Sequence, residues 1–554
     1  MAPITHGWKY SLNSVYSWLL KITKVLGKNY HADISTINFI TVFALGNAIL
    51  YHRLLFRFAS NSLDYSSLNG ILTLVTLFVV VVFVSTLFLS IVALVSRRLV
   101  KPICMLIVCG NAIAIYFEET YRVILDRTMM GNVFNTNLQE AGELFHPKLL
   151  IYIFVYAILP CFFLLKLRIK KDKYSKRLIY LFLVLLFGLG WSFANGKTWL
   201  WIDKNASKLG GMVMPWSYIS NSIRWYNVNY YRISRHQTLL PEAHFIKSGK
   251  ELEAGKEIVV LVIGESARAQ NFSLYGYKRP TNPRLAKDGV VALPDATACA
   301  TYTTSAIECM LSHQGSNPSL TTLYEPLPSY LQRNGVNVIW RSNNWGEPVL
   351  KIGRYDHADD IRKTCKDERC NYDEVLLYNL KQELRNSSQD KTFVVLHKHG
   401  SHGPSYYKNY PDKFTTFKPV CTTVDLQKCT NDELVSAYDN TIVYTDYFLD
   451  RVIKLLKTFQ QPTVMIYMSD HGESLGEYGL YLHGTPYSVA PDVQKKVPFI
   501  VWMSDEFKKE KGIDNNDIVN GSHYSDDNVF HSVMGAFGMK SDIYKKQFDI
   551  FNND

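Results

Sequence analysis

The stretch TVMIYMSDHGES, residues 463–474, decides the fold class of this chain. Its apolar, β-prone residues end abruptly at Asp470 and His471, which is the pattern of a buried parallel strand that carries a carboxylate and an imidazole at its carboxyl end. Asp oxygens and His nitrogens are preferred ligands of Zn²⁺, and Gly472 lets the backbone turn away from an ion. The stretch alone fits a metal site or an ordinary strand-end turn, so a matching strand is needed to decide.

A matching strand occurs much earlier in the chain, in EIVVLVIGESAR, residues 257–268. This apolar run also ends in a glycine and a carboxylate, Gly264 and Glu265. Two such strands side by side in a doubly wound sheet would bring Glu265, Asp470 and His471 to one edge. Three protein ligands leave one coordination position open, which is typical of a catalytic rather than a structural zinc site.

A candidate nucleophile lies in CATYTTSAIEC, residues 299–309, which places four aliphatic hydroxyls between two cysteines. A hydroxyl at the N-terminus of a helix gains from the helix dipole, and a neighbouring Zn²⁺ lowers its pKa further, so that it can attack phosphorus. The alternative is an ordinary Thr/Ser-rich helix cap. The two cysteines favour catalysis, because a disulfide would hold this turn rigid.

Four motifs in this order resemble the phosphoethanolamine transferases of the Gram-negative inner membrane: GESAR (264–268), the Cys-flanked threonine turn, HGSHGP (399–404) and SDHGESLGEYGLYLHG (469–484). That family belongs to the alkaline phosphatase and sulfatase superfamily and includes the mobilised enzymes of polymyxin (colistin) resistance. The resemblance implies a zinc-dependent enzyme that transfers phosphoethanolamine from phosphatidylethanolamine to lipopolysaccharide. It also implies a phosphothreonine intermediate and release of diacylglycerol.

The resemblance further assigns roles to individual residues. It makes Thr303 the nucleophile and gives it Glu265, Asp470 and His471 as metal partners, with one Zn²⁺ expected and a second possible. It suggests that His402 and His483 bind the substrate phosphate, carry a second metal or protonate the leaving alkoxide, and that Asn344 contacts the substrate.

A polar stripe precedes the soluble half of the chain. Asn132, Thr136 and Glu140 recur every four residues, which on a helix places them on one face. The stripe is either a solvated surface or, as the resemblance implies, the site that binds the ethanolamine headgroup, with Glu140 as its anion.

The chain departs from the family pattern at WRSNNWGEP, residues 340–348. The lipid A enzymes of the family have a lysine a few residues after the Asn-Asn pair, whereas Lys351 is the first lysine here. A cation at that position would contact a phosphate oxygen, so the substrate contacts of this chain differ from the family pattern here. The Asn-Trp-Gly-Glu-Pro variant resembles the branch that modifies the Kdo sugar of the inner core. Two acceptors therefore stay open, a lipid A phosphate and an inner-core Kdo.

Membrane spans are predicted in the N-terminal part of this 554-residue chain, of which 47% is hydrophobic. Apolar segments near the ~20 residues of a bilayer span occur at 36–50, 70–95, 102–117, 149–167 and 178–194. The predicted organisation is a cytoplasmic N-terminal segment (1–35), a transmembrane domain of five helices (36–195), an aromatic interfacial linker (196–250) and a periplasmic catalytic domain (251–554).

Charge sets the predicted orientation. Lys and Arg crowd the loops near 97–101 and 166–177, whereas the loop 118–148 is mixed in sign, so by the positive-inside rule the N-terminus is cytoplasmic and the chain after about residue 195 is periplasmic. The net charge of +11 then reflects topology and an anionic lipid surface and needs no nucleic acid. We expect a monomer in the bacterial inner membrane.

The soluble half alternates strands and helices, which predicts an α/β domain with a mainly parallel sheet covered on both faces. Its six cysteines fall into close pairs, and an oxidising compartment favours disulfides over a Cys-ligated metal. The sequence leaves 15 connectivities open, of which the sequence-local pairs 299–309, 365–370 and 421–429 are the simplest.

Two alternative functions are less consistent with the sequence. A phosphodiesterase or sulfatase-type hydrolase is disfavoured, because the residues after Thr303 lack the Cys/Ser-x-Pro-x-Arg pattern and hydrolysis needs no five-span anchor. A non-catalytic membrane sensor is disfavoured, because such a protein would be expected to have lost at least one of the ligands.

Overall fold

The structure, a computed structural model, describes residues 32–136, 141–142, 144–233, 237–245, 257–319, 322–519, 521 and 523–552. The chain forms two compact units. One contains the described residues up to Tyr116 together with Pro147–Trp216, and the other contains Phe117–His146 together with Ser217–Asp554. The segment 117–146 is thus inserted between two parts of the first unit in sequence, yet it packs with the second. The predicted cytoplasmic segment 1–35 lies outside the described residues except for its last four.

The first unit is helical, and its helices match the apolar segments of the sequence. They span Thr36–Tyr51, Arg53–Ser62, Leu68–Val95, Arg97–Thr120, Lys148–Ile153, Leu159–Lys166, Tyr174–Ala194, Gly196–Lys204 and Ala206–Gly210, with a π-helical turn at Phe154–Ile158. Four helical stretches are long and apolar enough to cross a membrane, and the first two helices, bent by 63°, bring the number to five if they count as one span. Counted in this way, the five predicted spans are confirmed.

Two buried asparagines inside this unit are paired with each other and with the backbone. Asn111 donates its amide to Oδ1 of Asn47 at 2.8 Å, and Asn47 donates its own amide to the carbonyl of Met214 at 3.3 Å. In a water-free interior each unpaired amide costs several kcal/mol, so these contacts hold helices that are distant in sequence together. A short parallel pair of strands, Ala32–Ser35 and Leu167–Lys170, completes the described part of this unit.

The second unit is built on a seven-stranded sheet. Its strands, in chain order, are β1 (Glu257–Gly264), β2 (Val291–Leu293), β3 (Asn337–Ser342), β4 (Arg354–His357), β5 (Lys391–His397), β6 (Thr463–Ser469) and β7 (Phe499–Met503). The spatial order is β2-β7-β6-β1-β5-β3-β4, and all pairs are parallel except β6–β7 and β7–β2. The predicted mainly parallel sheet is confirmed.

Both faces of the sheet are buried, as the uninterrupted apolar run of β1 indicates. Val259, Leu261 and Ile263 enter one hydrophobic core, whereas Ile258 and Val262 enter the core on the other face, together with the helix Asn431–Leu456. Successive residues of a strand point to opposite faces, so β1 contributes to both cores.

The other helices of this unit are shorter. They span Arg127–Asn135, Trp216–Ile233, Leu285–Asp288, Thr303–Met310, Leu327–Arg333, Ala358–Thr364, Leu380–Asn386, Asp505–Lys511 and Asp527–Ala536. A 3₁₀ turn, Asp373–Leu377, does not continue into the helix Leu380–Asn386, because Asn379 between them adopts a left-handed φ of 55°. The three predicted disulfides are present.

Candidate active site

The register of the sheet brings the two signature strands together. β6 pairs in parallel with β1 so that Ser469 lies opposite Gly264, and the next residues, Asp470 and Glu265, therefore leave the sheet at the same edge. On its other side, β1 pairs with β5, with Ile263 opposite His397. Parallel strands end at one edge, so the loop that carries His402 begins there as well.

Hydrogen-bond acceptors converge at this edge. Nε2 of His471 lies 3.4 Å from Oε1 of Glu265 and 3.2 Å from Oδ2 of Asp470. The ring's Nδ1 lies 2.9 Å from the carbonyl of Gly472, which can only accept, so Nδ1 carries the proton and Nε2 presents its lone pair to the carboxylates. Oδ2 of Asp470 is buried and has no hydrogen-bond donor.

The electrostatics of this cluster favour a cation. Burial raises the pKa of Asp470 well above its usual value, and the neighbouring Glu265 carboxylate raises it further. Two carboxylates and an imidazole lone pair that face one another in a buried place repel unless a positive charge lies between them. Oxygen and imidazole nitrogen atoms are the ligand types that Zn²⁺ accepts, so this ligand set fits a divalent metal ion.

Thr303 belongs to the same cluster. It is the first residue of the helix Thr303–Met310, is almost fully buried, and donates its hydroxyl to Oε2 of Glu265 at 3.0 Å. Its oxygen also lies 3.3 Å from Nε2 of His471. The carboxylate of Glu265 is held by two further donors, Ser266 Oγ at 2.6 Å and Asn344 Nδ2 at 2.8 Å. Among the hydroxyls between the two cysteines, Thr303 is thus the one in direct contact with the predicted ligands.

His483 lies beside this group. One ligand atom from each of Glu265, His471 and His483 can be chosen so that all lie within 4.8 Å of one another. Burial lowers the pKa of His483, but Glu473, whose Oε2 lies 2.8 Å from Nδ1, outweighs burial and the net pKa shift is upward. Tyr406 donates its hydroxyl to the other oxygen of Glu473 at 2.6 Å. A protonated ring is therefore favoured at His483.

His402 is held at the same edge by an anchored loop. Its ring centre lies 5.5 Å from that of His483, and burial lowers its pKa to about 3, so the ring is neutral. Asp373 accepts hydrogen bonds from the backbone N–H of His399 at 2.9 Å and of Gly400 at 3.1 Å, and the N–H of Ser401 donates to the carbonyl of Glu265. The loop is thereby fixed against the strand that carries Glu265.

The segment 117–146 reaches the nucleophile turn. Asn135 donates its amide to Oγ1 of Thr304 at 3.2 Å, and a Cβ placed on Gly484 would lie 2.9 Å from the amide of Asn132. The polar stripe is not one continuous helix, however. The helix Arg127–Asn135 ends before Thr136, whose hydroxyl donates to the carbonyl of Asn132. Glu140 lies outside the described residues.

The segment with the Asn-Asn pair, residues 343–344, contacts the site from the protein interior. Asn344 donates to Glu265 and, at 3.0 Å, to the carbonyl of Lys398, so its amide hydrogens bind protein groups. Lys351 is exposed, and Lys398 is buried and donates to Thr445. His397, which the motifs left without a role, is buried against Ser342 and Glu347.

Sequence reasoning missed several residues that position this site. Ser266 and Glu473 lie within the motifs already quoted, and their adjacency to Glu265 and His471 was the available signal. Asp373 contacts the site from a segment without a motif. Asn135 lies within the segment of the polar stripe but off its four-residue spacing, so the spacing did not point to it.

Comparison with known proteins gives five findings. Residues 257–539 match the sulfatase family, and residues 81–230 match the family described as phosphoethanolamine transferase EptA/EptB. The phosphoethanolamine transferase EptA of Helicobacter pylori is 38% identical over 523 residues, which are 92% of this chain and 96% of that protein. The Kdo(2)-lipid A phosphoethanolamine 7''-transferase of Escherichia coli is 26% identical, over 83% of this chain and 84% of that protein. The integral membrane protein lipooligosaccharide phosphoethanolamine transferase A of Neisseria meningitidis superposes with a TM-score of 0.84 at 28% identity, over 94% of this chain and 98% of its own.

The fold and the site define a membrane-anchored enzyme of the alkaline phosphatase and sulfatase superfamily. Within that class the chain belongs to the phosphoethanolamine transferase family. It is a multi-pass protein of the bacterial inner membrane with its catalytic domain in the periplasm. The transferase prediction is confirmed over the hydrolase and sensor alternatives.

Proposed function

We propose that this enzyme transfers phosphoethanolamine from phosphatidylethanolamine to a lipopolysaccharide-type glycolipid, with Thr303 as the nucleophile. The observation that carries the proposal is the position of the Thr303 hydroxyl, 3.0 Å from Glu265 and 3.3 Å from His471. No other hydroxyl between Cys299 and Cys309 makes a described contact to these two residues.

The first half-reaction forms a bond between Oγ1 of Thr303 and the phosphorus of the donor and breaks the bond from phosphorus to the glycerol oxygen. The threonine proton leaves towards the acceptors around it, and diacylglycerol departs after its oxygen gains a proton. His483 is the group suited to give that proton, because the Glu473 carboxylate favours its protonated form. His402 is neutral and lies beside it, where it can bind a phosphoryl oxygen through N–H.

The second half-reaction reverses these roles. An oxygen of the acceptor gives up its proton and attacks the phosphorus of phosphothreonine, the bond from phosphorus to Oγ1 breaks, and Thr303 regains a proton. The ring that lost its proton in the first step accepts one in the second, so the enzyme returns to its starting state.

The cofactor in this proposal is Zn²⁺, held by Glu265, Asp470 and His471 beside Thr303. A bound Zn²⁺ supplies Lewis acidity, which lowers the pKa of a neighbouring hydroxyl and stabilises negative charge on phosphoryl oxygens. Nε2 of His471 faces Oδ2 of Asp470, an oxygen without a hydrogen-bond donor, and this contact supports one ion. A second ion, bound by His483 and His402, is compatible with the proposal.

Headgroup recognition is assigned to the segment 117–146. Asn132, Thr136 and Glu140 are proposed to bind the ethanolamine, and Asn344 to contact the substrate, as the sequence predicts. The contact of Asn135 with Thr304 supports this, because it brings the segment to the nucleophile. A monomer as the active form is part of this proposal.

The decisive experiment compares Thr303→Ala with Thr304→Ala in the full-length enzyme, with mass spectrometry of lipopolysaccharide from producing cells as readout. Thr303→Ala should abolish the added phosphoethanolamine, Thr303→Ser should retain part of it, and Thr304→Ala should be milder. The mass of the fragment that carries the addition separates a lipid A phosphate from Kdo. An active Thr303→Ala enzyme would show that the nucleophile is a different residue.

A second experiment tests the metal. Elemental analysis of purified wild type should find Zn²⁺, and Asp470→Asn should lower both zinc content and activity, because one anionic ligand is neutralised. Full activity in a zinc-free sample would contradict this part of the proposal.

A further inference from the structure

Arg122 has a backbone conformation that an arginine does not favour. It follows the helix Arg97–Thr120 and has a φ of 56°, in the left-handed region where a Cβ is strained. Strain of this kind persists where the surrounding structure holds the residue in place, and it concentrates at functional sites. An arginine at this position is therefore expected to have a function that offsets the backbone strain.

The guanidinium of Arg122 lacks a partner within the described part of the chain. Its Nε is buried without a hydrogen-bond acceptor, and no residue that the structure describes forms an ion pair with it. The group packs against the turn Glu477–Gly479, where a Cβ on Gly479 would meet Nη1 at 2.9 Å. The carboxylate of that turn is already used, because Glu477 accepts from Arg268 at 2.6 Å and from the N–H of Leu475 at 2.7 Å.

The turn against which Arg122 packs is part of a hairpin that leads to the active site. The paired strands Ser474–Leu475 and Tyr481–Leu482 flank it, and His483 follows directly. Tyr478 at its tip has a φ of 54° and is 89% exposed, so two strained residues, one on each segment, meet at this hairpin. An arginine with five N–H donors, held beside a fixed turn and left without an anion, is suited to an anionic ligand that binds from outside.

We propose that Arg122 binds a phosphate group of the acceptor glycolipid. Arginine presents a planar fork that matches phosphate oxygens in a two-bond contact. The donor phosphorus must reach Thr303, whereas Arg122 lies against the tip of the hairpin, away from the end that carries His483. The segment 343–350 contains no lysine or arginine, so a phosphate of the acceptor needs a cation from another part of the chain. This inference rests on the proposed function, because it names a contact to the acceptor.

Arg122→Gly is the informative variant. Glycine adopts a φ near 56° without strain, so the substitution removes the guanidinium while relieving the backbone, and the melting temperature should stay level or rise. Arg122→Lys keeps the charge but loses the fork and should be intermediate. Arg127→Gln is the matched control, because Arg127 is an exposed cation in the same segment.

The assay uses full-length enzyme with phosphatidylethanolamine in mixed micelles and a Kdo2–lipid A acceptor that carries its phosphates. Arg122→Gly should raise KM for the acceptor by about tenfold, as expected for loss of a charge-assisted contact, with KM for the donor and the rate of diacylglycerol release unchanged. An unchanged acceptor KM, or a rise in donor KM alone, would overturn the assignment. Failure of the proposed function is distinct from this, since it would appear as a wild-type enzyme that transfers nothing to the acceptor.

Discussion

Nδ1 of His483 lies 2.8 Å from Oε2 of Glu473, and the other oxygen of that carboxylate accepts the hydroxyl of Tyr406 at 2.6 Å. This chain of contacts fixes the ring of His483 and favours its protonated form. Glu473 can therefore act without contact to the substrate, because it orients the ring of His483 and favours its protonated form.

Glu473→Gln should therefore lower kcat by about 10- to 100-fold, the usual effect of removing a carboxylate that orients a catalytic imidazole. The zinc content should stay near that of wild type, because the ligands Glu265, Asp470 and His471 are untouched. Tyr406→Phe is the matched control and should cost less, since it leaves the carboxylate and its contact to His483 in place. Steady-state rates and elemental analysis measure both effects, and a Gln variant with wild-type kcat would remove Glu473 from the mechanism.

The disulfide between Cys299 and Cys309 encloses the nucleophile turn. Replacing both cysteines by serine should lower the free energy of unfolding by about 2–3 kcal/mol, because a loop of this length is no longer closed in the unfolded chain. It should also lower kcat, because Thr303 loses its constraint. The control is Cys421→Ser with Cys429→Ser, which opens a similar loop elsewhere in the fold and should lower the melting temperature but not kcat. Equal kcat losses in the two double variants would show that the effect is global.

The sequence predicted the parts of this site that lie at strand ends. The apolar runs before Glu265 and Asp470 indicate parallel strands, and strands of that kind meet at one edge, so proximity followed from the pattern alone. The position of Thr303 among the four hydroxyls did not follow from the residues, because a Thr/Ser-rich turn has no periodicity, and it came from the family resemblance.

Other contacts could not be predicted, for physical reasons. Asp373 binds the N–H groups of His399 and Gly400 across a turn of irregular backbone, and irregular backbone carries no repeat that a sequence could reveal. Thr136 was expected on a helix with Asn132, but its hydroxyl bonds back to the carbonyl of Asn132 and the helix ends there. A four-residue spacing of polar side chains is compatible with a helix but does not determine where the helix ends.

Gly400 is a position where the site tolerates no side chain. Its φ is 56°, and a Cβ there would lie 2.9 Å from the carbonyl oxygen and 3.0 Å from the nitrogen of Glu265. Gly400→Ala should therefore displace Glu265, reduce bound zinc and destabilise the fold by about 1–3 kcal/mol. Gly289→Ala is the control, with a φ of 71° and open space around the new methyl group, so it should show only the backbone strain and keep its zinc. Wild-type zinc content in Gly400→Ala would show that the loop can move away.

The last prediction concerns Lys398, which is fully buried next to the loop of His402. Burial lowers its pKa from the ordinary value of 10.5 to about 8, although Asp373 lies 3.8 Å away and opposes that shift. Its ammonium donates to Thr445 at 2.8 Å. Below about pH 8 the folded protein holds a charged group in a buried place, and between pH 8 and 10.5 the folded state gives up that proton before the unfolded state does. The contribution of Lys398 to the free energy of unfolding should therefore rise with pH through this window, by about 3 kcal/mol at most.

The measurement is the difference in thermal stability between wild type and Lys398→Met in detergent at pH 7.5 and pH 10. Other titrating groups are common to both proteins and cancel, so the difference should move in favour of wild type at the higher pH. Lys428→Met provides the control, because the side chain of Lys428 is 65% exposed and its removal should leave the difference independent of pH. If the stability difference between wild type and Lys398→Met does not change with pH, Lys398 has an ordinary lysine pKa. If it moves in favour of the methionine variant as the pH rises, the pKa of Lys398 is raised, with Asp373 as a strong partner.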